Sequence, residues 1–126
     1  TSDGTAKVLA DGTGVKKGNM ITYALSDYAN KNPQVIEAYI KALNRANEVI
    51  KNNPEQAAEA VADDFGVSKD LMLKIIPNFV YSTEFTNHDI AEITKVKDFS
   101  LESGIIKSDV DINSFINKKY LEAIKQ

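Results

Sequence analysis

Six consecutive residues, Met20-Ile21-Thr22-Tyr23-Ala24-Leu25, carry no charge, no glycine and no proline, and are rich in β-branched and aromatic side chains. The run has no helix cap and reads as a strand buried on both faces. Ahead of it, Lys7 to Ala10 is short and β-prone and runs into the turn cluster Asp11-Gly12-Thr13-Gly14, where glycine permits positive φ. Two strands are not stable alone, because their edges and faces need further sheet or helix cover. The expected fold class is therefore α/β: two short strands plus five or six helices, as the mainly helical C-terminal portion of a larger protein whose remaining strands precede Thr1.

From Ser26 onward the spacing is helical. Ser26 or Asp27 is suited to cap a short helix through Ala29, and Pro33 sits where a missing N–H costs nothing, at the start of a long helix. Val35, Ile36, Tyr39, Ile40, Leu43, Ala46 and Ile50 line one face, with Glu37, Lys41, Asn44 and Glu48 opposite. Asn53-Pro54-Glu55-Gln56 resembles a capping box for a helix that runs to Phe65 and ends at Gly66. Ser68 caps a third helix with Met72, Ile75, Ile76 and Phe79 on one face, and Pro77 stops or kinks it. An extended connector from Pro77 to Phe85 leads to a fourth helix opened by Thr86 to Asp89. Its inner side holds Ile90, Ile93, Val96 or the Lys97 stem, and Leu101, and Gly104 closes it. Asp111 then caps a last helix with Phe115 or Ile116, Tyr120 and Ile124 inward.

Length and charge narrow the function. At 126 residues the chain fits one domain. With 15 basic and 18 acidic side chains there is no basic field for phosphate backbones, so nucleic acid is excluded as an expected partner. Without cysteine there is no disulfide framework, thiolate zinc site or cysteine nucleophile. No stretch approaches the roughly 20 apolar residues of a membrane span, and the start lacks a signal-peptide pattern.

The ordered run of short motifs resembles a known family. Val8 to Gly14, then Met20 to Leu25, then Ser26-Asp27-Tyr28-Ala29-Asn30-Lys31-Asn32-Pro33 is similar to the aliphatic sulfonate, taurine and nitrate type of ABC-importer solute-binding protein. Asn53 to Ala58, Phe65 to Val67, Gly104 to Lys107 and Asp109 to Asp111 continue the likeness in order. The resemblance implies a two-lobed periplasmic binding protein type II-like fold. Residues 7–19 would form the end of the second lobe and the crossover, and residues 20–126 the hinge strand and helices of the first lobe. It further implies a non-catalytic binding component that captures a small anionic or sulfonate-like solute outside the cytoplasmic membrane and docks on ABC permease transmembrane subunits, with no cofactor. The abundance of Lys, Asn and Ile suggests a membrane-tethered lipoprotein. One departure stands out: the family often has an aromatic pair at the positions of Ile21 and Thr22, whereas here the aromatic residue is Tyr23. The alternatives are a same-fold enzyme of thiamine-pyrimidine or desulfinase type, and a free-standing helical interaction module.

Candidate ligand-binding residues are Asn19, Thr22, Tyr23, Asp11 and Gly12. Asn19, Thr22 and Tyr23 supply an amide, a hydroxyl and a phenol beside the expected crossing between lobes, although alternation lets only one of Thr22 and Tyr23 face a cleft. The Asp11 to Gly14 turn could present successive N–H groups to an anion, or be a plain turn. His88, the only histidine, reads as an exposed helix start, and a single histidine is short of a His-based metal site. Asp63 and Asp64 diverge by about 100° on a helix and read as solvated surface, not paired acid and base. Catalytic and metal-ligating residues are expected to be absent. The apolar strand predicts self-association of the isolated chain.

Overall fold

The computed structural model describes residues 4–9 and 20–125. It contains α1 (Ser26–Lys31), α2 (Pro33–Asn52), α3 (Pro54–Ala62), α4 (Lys69–Ile75), α5 (Asn87–Glu102) and α6 (Lys119–Ala123), with 3-10 turns at Ile76–Asn78 and Ile112–Phe115. Among the described residues there is no β-strand, which overturns the α/β expectation: the fold is helical. Met20 to Leu25 belongs to neither helix nor strand, and Met20, Tyr23 and Leu25 are exposed instead of buried on two faces. Lys7 to Leu9 is equally irregular and exposed. The physical reason is partnership: β-propensity makes a strand only where a second strand supplies the ladder, and no described segment does so. Ala10 and the turn Asp11 to Gly14 lie outside the described residues.

The described residues fall into two compact units, one of residues 4–9, 20–23 and 87–112, the other of 24–86 and 113–125. In the larger unit, α3 packs against both α2 and α4. Ala57, Ala58 and Ala62 present no more than a methyl group, so neighbouring helices approach closely, and Met72 and Ile76 fill the space. Ala58 is fully buried at 0% exposure. Ile50, Val61, Val67, Leu73 and Ile75 surround this core half-buried.

α1, α2 and α3 follow one another through single-residue joints. Asn32 (φ −131°, ψ 52°) ends α1 and begins α2, and Asn53 (φ −137°, ψ 63°) ends α2 and begins α3. Each is followed by proline at the first helical turn, as the sequence predicts. At Asn32 both the backbone N–H and the side-chain amide donate to the Tyr28 carbonyl at 2.9 Å, closing α1. At Asn53 the backbone N–H donates to Val49 O at 2.8 Å and its carbonyl accepts from Ala57 at 3.0 Å. Asn53 makes no side-chain cap bond, so the expected capping box is not formed through it. Ser26 and Asp27 likewise lie inside α1, where Asp27 favours the positive end of the helix dipole; the cap position is Leu25.

The inward line of α2 runs through Ile36, Ile40, Leu43, Asn44, Asn47 and Ile50, all half-buried, while Val35, Tyr39 and Ala46 are exposed. The predicted stripe is thus rotated toward the asparagines. Thr83 explains part of the rotation: its hydroxyl donates to Asn44 Oδ1 at 2.5 Å, so Asn44 faces the connector and not solvent.

α3 ends at Ala62, three residues before the expected Phe65, and Gly66 closes the turn that follows. After the last regular turn, Gly66 adopts φ +64°, its N–H donates to Asp63 O (3.0 Å) and the Val67 N–H to Ala62 O (3.0 Å), satisfying two terminal carbonyls. Ser68 Oγ then accepts from the Leu71 N–H at 3.2 Å and caps α4 as expected. Lys69 stands at the start of α4, an unfavourable place for a cation, and its Nζ reaches Glu59 (3.3 Å) and Glu55 (3.8 Å) on α3. Pro77 stops the α-helix, which tightens into the 3-10 turn Ile76–Asn78. Phe79 leaves in extended backbone (φ −117°, ψ 151°) and is exposed, not part of the inner stripe.

The last helix differs from expectation. Instead of one helix from Asp111, a 3-10 turn is followed by the short α6; between them Asn117 Oδ1 accepts the Lys119 N–H (3.1 Å), a local bond that competes with helix continuation, while the cap position Lys118 makes no side-chain cap bond. Tyr120 is buried and Ile116 and Ile124 half-buried, whereas Phe115 is exposed. Lys119 Nζ donates to Asn30 Oδ1 at 2.9 Å, tying α6 to α1.

In the smaller unit, α5 turns Ile90, Ile93, Thr94, Lys97, Ser100 and Leu101 inward, choosing the Lys97 stem over Val96. Gly104 (φ +71°) closes it in the same manner as Gly66: Gly104 N–H donates to Leu101 O (3.1 Å) and Ile105 N–H to Ser100 O (2.8 Å).

Candidate functional site

Of the five residues proposed for ligand contact, Asp11, Gly12 and Asn19 lie outside the described residues. Thr22 and Tyr23 are adjacent on the irregular segment before α1, and both are exposed, Tyr23 at 92%. α1 anchors the end of that segment, since the Leu25 carbonyl accepts from the Ala29 N–H at 2.9 Å. What the pair offers chemically is a phenol and a hydroxyl, each able to donate to the oxygen of an anion. Exposure leaves them in high dielectric, where a neutral donor contributes little unless the ligand is covered from other sides.

The most developed polar arrangement is one that spacing did not single out. Lys97 Nζ reaches Asp109 Oδ1 at 2.6 Å and Asp98 Oδ1 at 2.7 Å, with its stem folded inward so that only 14% of the side chain is exposed. The hydrogen bond to Asp109, then that to Asp98, raises the Lys97 pKa above its ordinary 10.5. The same bond, its charge attraction and the Val110 N–H at 2.8 Å hold Asp109 below 3.8. An ammonium stabilised by two carboxylates is the reverse of a lysine poised as a base or Schiff-base nucleophile. Its role is to fasten the turn after α5 to the helix. The available signal was weak: an inward lysine and an aspartate twelve residues later.

His88 is exposed near the start of α5, and Asp63 and Asp64 are exposed after α3, as the sequence indicates. Among the described residues, no group of three or more His, Cys, Asp or Glu side chains is placed to hold a metal ion. No described helix is long and apolar enough to cross a membrane. No protein-family model, curated protein or solved structure matches this chain.

Proposed function

We propose that this chain belongs to the binding component of an ABC importer that captures a small anionic or sulfonate-like solute outside the cytoplasmic membrane, and that Thr22 and Tyr23 contribute to that capture. The observation that carries the reading is the exposure of these two donors beside α1, in the ordered motif series of the resemblance. The likeness of Asn32-Pro33, Asn53-Pro54, Phe65-Gly66-Val67 and Gly104-Ile105 to the family's motifs gives support, because each of these falls at a helix boundary. Capture would work by population shift between open and closed arrangements, without bond chemistry. The test is a thermal-shift titration with aliphatic sulfonates and nitrate. A ligand at 100 times its Kd should stabilise by about 2.7 kcal/mol, and Tyr23→Phe should weaken the response. No shift with any of these anions would overturn the proposal, and chemical turnover of one of them would replace it with the enzyme reading.

A helical interaction module is the second reading. It is favoured by the core that α2, α3 and α4 enclose among themselves.

A further inference from the structure

We infer that Met20 is a modification site for peroxide, a thioether that takes up one oxygen atom reversibly while the helical core stays intact. The inference does not depend on the solute reading.

The sulfur chemistry of this chain is confined to two atoms. With no cysteine present, the thioethers of Met20 and Met72 are the only sulfurs an oxidant can reach. Their surroundings are opposite. Met20 is 95% exposed, in a segment that belongs to neither helix nor strand, whereas Met72 is 5% exposed on α4, in the cluster with Ala57, Ala58, Ala62 and Ile76. Susceptibility to oxidation follows exposure, because the peroxide must reach the sulfur lone pair. At Met20 that approach is open, and at Met72 it requires the packed α3 and α4 to part.

The step balances with hydrogen peroxide alone. The sulfur lone pair attacks one peroxide oxygen, an S–O bond forms and the O–O bond breaks. The proton of the transferred hydroxyl passes to the departing hydroxide, which leaves as water. Sulfur is oxidised by two electrons and the peroxide is reduced by two. Two thiols reverse the change, becoming a disulfide and carrying the oxygen away as water, the chemistry of methionine sulfoxide reductases.

The consequences differ as much as the access. A sulfoxide is polar, so at Met72 it would set an oxygen among apolar side chains, while at Met20 it meets solvent and costs no core contact. A segment outside helix and strand can also enter a reductase pocket without any helix unwinding.

The experiment is a hydrogen peroxide time course on the ligand-free chain, read by peptide mass spectrometry with far-UV circular dichroism alongside. Met20 should gain its oxygen at least about tenfold faster than Met72, with helix content unchanged after the first oxygen. Sulfoxide reductases of both epimer specificities, supplied with a thiol, should return Met20 to the thioether. In urea beyond the unfolding transition the two rates should converge. Met20→Leu should remove the fast phase and leave the Met72 rate as in the parent, and the comparison within the unaltered chain needs no variant. Equal rates in the folded chain, Met72 reacting first, helix loss with the first oxygen, or a Met20 sulfoxide that the reductases leave in place overturns the inference.

Discussion

At Gly66 and at Gly104 the chain makes the same turn. Both glycines take positive φ, both turns carry the same pair of hydrogen bonds back into the helix, and both are followed by a β-branched residue. After Gly66, Val67 packs half-buried against the core of α3 and α4. After Gly104, Ile105 is 70% exposed. Helix termination is therefore local chemistry, available to glycine wherever the chain must reverse, while the value of the following apolar residue is decided by what the fold brings against it.

Mutations can separate these two contributions. The largest effect belongs to the core that gives Val67 its place: Met72→Ala should destabilise the larger unit by about 3 kcal/mol in urea unfolding, the range for truncating a buried methionine. A much smaller loss would mean that α3 and α4 close over the gap. Next, Val67→Ala should cost about 1 kcal/mol and Ile105→Ala close to nothing, because only the first removes covered apolar surface. Equal losses would break the contrast. The two glycines should behave alike, since a Cβ at either meets no neighbour within 4 Å and only the left-handed backbone resists it. Gly66→Ala and Gly104→Ala should each cost about 1 kcal/mol.

The smallest effect is electrostatic and confined to the turn after α5. Asp109, whose folded pKa is depressed, contributes stability above its unfolded value of about 3.8 and loses it as pH falls through the folded value. Lys97, whose folded pKa is raised, contributes below about 10.5 and loses it as pH rises through its folded value. The melting difference between the parent and Asp109→Asn should therefore persist through neutral pH and vanish in acid below 3.8 and in strong base. A difference unchanged at pH 2 would mean that the pair is not its source.

What the sequence disclosed follows the same division. Pro33, Pro54, Gly66, Ser68, Pro77 and Gly104 each act at a helix boundary, because their effects are written in backbone geometry and need no partner. The β reading of Met20 to Leu25 failed because a strand depends on a neighbour that periodicity cannot supply. Asn44 was placed on the wrong face, and the break in the last helix at Asn117 was missed, for a related reason. One is drawn inward by a hydroxyl 39 residues away, and the other spends its side chain on the backbone two residues on, a competition that apolar spacing does not record. Of the candidate site, the donors Thr22 and Tyr23 were legible as chemical groups. The inward Lys97 stem was legible as one of two alternatives, but its partner was not, because Asp109 lies twelve residues on in a turn that helical periodicity does not reach.

The joints at Asn32 and Asn53 bear on how the molecule can be rebuilt. α2 is a rod of about 30 Å with a one-residue elbow at each end. An insertion at either elbow has no slack to absorb it, and within α2 one added residue would swing all that follows by about 100°. The irregular stretch after Phe79 has no such gearing, so a tag, a label or a new pair of termini belongs there, at Val80 or Ser82, where the chain can lengthen without turning a helix.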